Sequence, residues 1–382
     1  MAIALVLLLS TALFVSGKGF RVLATLFAVD LGAGPLEVGI LYSLHGLFPF
    51  LLVVFAGRVA DRVDNRVLMY CGIAGVTVAL ALPFLFPRLP VLFLSVALNG
   101  LTSMLFVVAT QNLVGVLSTA HNRTRNYSWY SLGESIAFVI GPVFVGFAID
   151  ALRYPLTFLC LSLYTAAWGV ALYARRNAIP PATRAEAERT PRAIGDLLRL
   201  PELRNALITN GAVMAGLDMF NLYLPVYARG LGISASVIGL IIGAFASAAI
   251  VTRLAIPPIA KRWGEQRMLA AALALGAAAF ATFPLLKSPL PLAAAAFALG
   301  LGLGCGQPLS MILSYNASPP GRGAEGIALR LAVSYGSHLV IPPAFGALGG
   351  GFGLAPVFWI CAALLGGGSL LNRRGPREDL RT

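Results

Sequence analysis

Charged residues make up only 11% of this 382-residue sequence, and 58% of it is hydrophobic. So little charge excludes a soluble domain, which cannot leave that much apolar surface facing water. Cysteine is rare as well. Cys71, Cys160, Cys305 and Cys361 are scattered, with no CxxC spacing and no Cys/His pairing, so no metal site is indicated and they read as small core residues. No GxxxxGK[ST] loop occurs, which disfavours transport driven by ATP, and no enzyme signature or cofactor site is seen. The 41 glycines are spread at helix-packing spacings rather than gathered into a phosphate loop. Nor do apolar residues alternate over runs of roughly ten, as the strands of a membrane barrel would.

What is present is a series of long apolar runs. A helix crossing a bilayer needs roughly 20 apolar residues. Twelve candidates lie near 3–29, 36–57, 67–86, 91–117, 126–149, 156–175, 204–228, 236–259, 268–286, 291–316, 324–348 and 354–371. The fold class they predict is an all-α membrane protein with twelve transmembrane helices. The first run is too long for a signal peptide, lacks a basic n-region and shows no clear small-residue cleavage site, so it is read as a span.

Lys and Arg number 28 against 15 Asp and Glu, a net charge of +13. Such a surplus first suggests nucleic acid, but its distribution argues against that partner. With the N-terminus in the cytoplasm, twenty basic residues fall on the cytoplasmic side, from Arg58, Arg62 and Arg66 to Arg373, Arg374, Arg377 and Arg381. Four, Arg88, Arg153, Arg229 and Lys287, fall on the other side, and four, Lys18, Arg21, Arg253 and Arg330, lie within spans. This bias places both termini in the cytoplasm of a multi-pass inner-membrane protein, with anionic lipid attracting the basic loops.

The longest polar segment, roughly 176–203, contains Pro180-Pro181 and mixed charges, as a cytoplasmic linker would, with a short surface helix at 193–199. It separates 1–175 from 204–371, and 372–382 forms a tail. The two halves match at an offset of 200 residues: Leu31/Leu231, Gly32/Gly232, Gly39/Gly239, Ala60/Ala260 and Arg62/Arg262. Internal duplication in a helical membrane protein points to a secondary transporter with its substrate site between the halves. The same offset carries Lys18 onto Asp218 and Arg21 onto Asn221.

The loop after the second span reads Gly57-Arg58-Val59-Ala60-Asp61-Arg62-Val63-Asp64-Asn65-Arg66. It resembles the signature loop of the major facilitator superfamily, G-x-x-x-D-R-x-G-R-R. Gly57, Asp61, Arg62 and Arg66 match, while Asp64 and Asn65 depart from it. A degenerate copy, Ala260 to Arg267, follows the eighth span. The resemblance implies two pseudo-symmetric six-helix bundles, a monomer that needs no cofactor, and a conformational latch. In that latch Gly57 packs closely, Asp61 accepts hydrogen bonds from a helix N-terminus, and Arg62 and Arg66 hold Asp61 and nearby carbonyls. The alternative is that Arg62 and Arg66 serve topology alone. In the fifth span Gly141, Pro142 and Gly146 match the family's antiporter motif, G-x-x-x-G-P-x-x-G-G, and mark a helix bend; Ala137 and Val145 do not match.

Away from the span ends two acids fall inside spans, Glu134 and Asp218, and each is a candidate proton carrier. Glu134 has no charge within helical reach on its own span and is the favoured one. In the fold the resemblance implies, Asp218 faces the first span, where Lys18 or Arg21 is its expected partner; a static salt bridge is the alternative. Arg21 suits two-point recognition of a substrate anion, Lys18 a switchable partner, and Asn221 adds a polar group. His45 and His338 titrate near neutral pH or bond a backbone carbonyl. Arg330 is a further candidate, or snorkels to the membrane surface.

These residues predict a secondary transporter, not an enzyme. It moves a small organic solute, anionic or zwitterionic by preference, by alternating access coupled to protons. A multidrug/proton antiporter with a broad hydrophobic pocket is the alternative, and a lipid flippase or a non-transporting sensor is the reading from another class.

Overall fold

The computed structural model describes residues 2–60, 64–118, 123–175, 177, 179, 195–306, 309–310, 313–314, 317 and 323–373. The side chains of 53–60, 115, 123–125, 127–128, 195–196, 256–258, 260–261, 323–328, 331 and 373 lie outside that description. Among the described residues the chain is all-helical. In order come α1 (Ala2–Asp30), α2 (Pro35–Ala60), α3 (Asn65–Leu85), α4 (Leu89–Val116), α5 (Arg123–Ala174), the single turn α6 (Gly195–Leu198), and α7 (Pro201–Gly230). Then follow α8 (Ala235–Trp263), α9 (Glu265–Thr282), α10 (Pro289–Leu303), α11 (Gly323–Phe352) and α12 (Leu354–Arg373).

Among the described residues eight stretches are long and apolar enough to cross a membrane. One of them, Trp129–Ala174 in α5, runs for 46 residues. At 1.5 Å per residue that is about 69 Å, twice the roughly 30 Å hydrocarbon thickness. The chain resolves the mismatch at Arg153, where φ 64 and ψ 172 break the helix just before Tyr154-Pro155. The fifth and sixth candidate spans are the two arms of this one broken helix. Large apolar side chains such as Leu254, Leu290 and Phe352 are more than 70% exposed, as lipid-facing positions are.

Local signals set the helix ends. Gly34 precedes Pro35 at the first helical position of α2, and Glu37 reaches back to the Gly34 N–H at 2.7 Å, half of a capping box. Asp64 caps α3, its carboxylate accepting from the Arg66 N–H at 2.9 Å. The residue that departs from the signature loop thus starts a helix.

The offset of 200 reappears in the backbone. Gly32 (φ 87) and Gly232 (φ 79) end α1 and α7 in the same way, with Ala33 N–H on Ala28 O and Ile233 N–H on Ala228 O. The break at Arg153 has its counterpart in Gly353 (φ 80), which separates α11 from α12. Where Gly100 crosses the His45 carbonyl, Gly300 crosses that of Phe245.

Contacts divide the chain into two compact units. Unit 1 comprises Met1–Arg189 and Pro225–Gly243, and unit 2 comprises Thr190–Leu224 and Ala244–Thr382. The end of α7 and the first turns of α8 therefore group with the N-terminal helices. In unit 1, Val6, Leu9, Met69, Ile73, Phe106, Leu113, Tyr130 and Leu172 form a core shared by α1, α3, α4 and α5. In unit 2, Phe220, Phe245, Phe280, Phe283 and Phe358 stack into an aromatic core. The single turn α6 is anchored there by Leu197, fully buried beside Leu203 and Leu207.

Candidate functional site

In unit 1 the site begins at the crossing of α1 and α5. A Cβ on Gly141 would sit 2.6 Å from the Val15 carbonyl oxygen and 2.8 Å from the Gly19 nitrogen, so only glycine lets the two backbones meet there. Lys18 lies at this crossing. Its Nζ is 3.0 Å from Glu134 Oε1 and 4.9 Å from the centre of the Phe138 ring. Glu134, Phe138 and Gly141 are spaced i, i+4, i+7 and share one face of α5. Three residues past Lys18, Arg21 lies over the Tyr42 ring, with Nη1 3.4 Å from the phenol oxygen and Cζ 5.5 Å from the ring centre.

In unit 2 the position equivalent to Lys18 also belongs to a titratable pair. Asp218 on α7 is 2% exposed, and its Oδ2 lies 2.6 Å from Nδ1 of His338 on α11. About one turn further along, Tyr223 donates to the Pro342 carbonyl at 2.9 Å and fixes the same two helices against each other. Asp218 and His338 stand 200 residues beyond Lys18 and Phe138, so one contact recurs with its chemistry changed.

Within unit 1 Lys18 meets Glu134, and within unit 2 Asp218 meets His338. Asn221, expected to face a substrate, donates its amide to the Leu217 carbonyl one turn back at 2.7 Å. His45 is partly buried on α2, its carbonyl pressed on Gly100.

Arg330 does not snorkel. It is 9% exposed, and its Nη1 donates to Asn210 Oδ1 at 3.2 Å. Ser310 Oγ donates to the same oxygen at 3.0 Å, and Asn210 Nδ2 donates to Ser334 Oγ at 2.9 Å.

Of the latch residues, Asp61 and Arg62 lie outside the described residues, as does the environment of Gly57. Arg66 is described, with its Nε 3.9 Å from Asp64 Oδ2. At the antiporter motif α5 keeps helical dihedrals through Pro142, and its non-helical residue is Arg153. The motif's structural effect is close packing: Gly141 on α1, and Gly146 against the Ala235 carbonyl at the start of α8. Beside Gly146, sequence reasoning missed Asp150, whose carboxylate accepts the N–H groups of Ala235 at 3.1 Å and Ser236 at 2.8 Å. An anion at a helix N-terminus is favoured by the dipole and by two unsatisfied donors. An acid at the end of an apolar run, where acids contribute little to topology, was the available signal.

The model of the Major Facilitator Superfamily matches residues 6–289 and 206–380. The chain belongs to the major facilitator superfamily. It is therefore a multi-pass membrane protein of a transporter family, not an enzyme. Among similar proteins is the multidrug resistance protein MdtH of Yersinia pestis (strain Pestoides F), 29% identical over 252 residues, which are 65% of this chain and 60% of that protein. MdtH of Yersinia pseudotuberculosis (serotype O:1b) matches to the same extent. Similar solved structures include the nucleoside transporter NupG (TM-score 0.80, 13% identity, 98% of this chain and 99% of that one). Another is the peptide transporter POT in complex with sulfate (TM-score 0.80, 17% identity, 98% and 94%). At these identities the structures establish the superfamily fold alone.

Proposed function

We propose that the chain is a twelve-span, proton-coupled secondary transporter of the bacterial inner membrane. On this reading its two six-helix bundles alternate access for a small organic solute, anionic or zwitterionic by preference. The observation that carries the reading is an ionisable pair built on the same register position of the first helix of each half, Lys18 with Glu134 and Asp218 with His338. Ionisable groups among apolar helices are unfavourable and are retained mainly where they work.

Asp218 and His338 offer a proton two adjacent seats, a carboxyl and an imidazole 2.6 Å apart. The neighbouring Tyr223–Pro342 bond keeps the seats together. Lys18, held over Phe138 and against Glu134, is a cation whose partner a substrate carboxylate replaces, and Arg21 on Tyr42 offers a two-point grip. Glu134 is half exposed, so the more enclosed Asp218 is the better proton carrier.

The test is transport in reconstituted vesicles. Asp218→Asn is expected to abolish accumulation driven by an imposed pH gradient while leaving solute exchange across equal pH intact. Full gradient-driven accumulation by this variant would falsify the assignment.

The second reading is a multidrug/proton antiporter, supported by the similarity to MdtH and by the matches at Gly141, Pro142 and Gly146. Arg21→Ala separates the two. It is expected to eliminate transport of an organic anion, whereas an antiporter of lipophilic cations would retain its activity.

A further inference from the structure

The cluster around Arg330 has an internal control. Residues 210, 310 and 330 stand at the repeat offset from Ser10, Thr110 and Tyr130. In unit 1 that trio is neutral and buried, with the Thr110 and Tyr130 hydroxyls 3.2 Å apart and Ser10 bonded to the Val6 carbonyl at 2.8 Å. In unit 2 the same places hold Asn210, Ser310 and Arg330. The position therefore does not need a charge in order to pack, yet the second half places a guanidinium there.

Among the described residues that guanidinium is poorly compensated. Its one side-chain hydrogen-bond partner among the described residues is the neutral Asn210 oxygen, and Nε is buried without a partner. Among the described residues no ion pair joins Arg330 to a carboxylate, whereas Lys18 has Glu134 and Asp218 has His338. A buried cation with no counter-charge is strongly unfavourable. Among the described residues the side chains around it orient it and bring no carboxylate: Asn210 takes Nη1, and Ser310 and Ser334 hold Asn210 in place.

We infer that Arg330 is the seat of an anion-binding site in unit 2 that accepts one carboxylate or phosphate group. Nε and the remainder of the guanidinium fork supply the parallel donors that such a planar or tetrahedral anion accepts. Identifying this anion with part of the transported solute rests on the function proposed above; the binding itself does not.

The test is the melting temperature of the purified full-length protein in detergent at low ionic strength, titrated separately with inorganic phosphate, glutamate and phosphatidylglycerol. At least one is expected to raise the wild-type midpoint by roughly 2–4 °C. Arg330→Gln is expected not to respond, and to melt at or above the wild type when no anion is added. Should that variant fail to fold, the double variant Asn210→Ser/Arg330→Tyr serves in its place, because it installs the residue types that pack in unit 1. A response to phosphate or glutamate marks a soluble anion, and a response to phosphatidylglycerol alone marks a lipid headgroup; either supports the site. A wild type that none of the three shifts, or a shift that survives in the variant, overturns it. Because no flux is measured, a failure of the transport reading leaves this result intact.

Discussion

Arg153 sits at φ 64 and ψ 172, backbone that glycine enters freely and that strains a residue with a Cβ by about 1–3 kcal/mol. Its repeat partner is Gly353, which makes the same turn without that strain. Arg153→Gly is therefore expected to stabilise the protein by about 1 kcal/mol, after subtracting the roughly 0.5–1 kcal/mol that a more flexible unfolded chain costs. A melting temperature unchanged or lowered would show that the arginine side chain compensates for the strain. At the same scale, Asp218 and Glu134 are both acids among apolar helices, but the first is closed in and the second half exposed. Two carboxylates at two degrees of burial support different roles, and that difference is set by packing rather than by position along the chain.

Helix crossings place the chemistry. Gly141 lets α1 approach α5, and the approach brings Lys18 to Glu134 and Phe138. Gly141→Val would push a side chain into the Val15 carbonyl. It is expected to destabilise by about 1–3 kcal/mol and to separate the charged pair, which thermal unfolding and transport would both register. The α5–α8 contact depends on Asp150 in a comparable way. Asp150→Ala removes a charged cap, so a loss of about 1 kcal/mol is expected, together with faster hydrogen exchange at the Ala235 and Ser236 amides. Unchanged exchange at those two amides would mean that α8 is held by packing alone. Neither crossing was readable from periodicity, which says which face of a helix is apolar but not which helix it meets.

Across the whole molecule, duplication is the governing feature. The matches at Gly32/Gly232 and Gly39/Gly239 extend in the structure to helix ends, backbone breaks and polar clusters at the same offset. The repeat also shows where the halves diverge: Phe138 against His338, and Tyr130 against Arg330. Those divergences carry the proposed proton site and the anion site. The distribution of basic residues predicts that both termini are cytoplasmic. A green fluorescent protein fused after Thr382 is accordingly expected to fluoresce, and alkaline phosphatase at the same place to be inactive; the reverse pattern would overturn the proposed sidedness.

The amino-acid sequence by itself determined that the chain is helical and membrane-embedded, where the duplication falls, and which family it belongs to. Each of these follows from composition, period or register along one segment, because a helix in lipid satisfies its own backbone. Only the tertiary structure decided which charge meets which. Lys18 and Glu134, Asp218 and His338, and Asp150 and the start of α8 are all distant in sequence. Their contact depends on the depth, rotation and closeness of two packed helices, quantities that no single helix encodes.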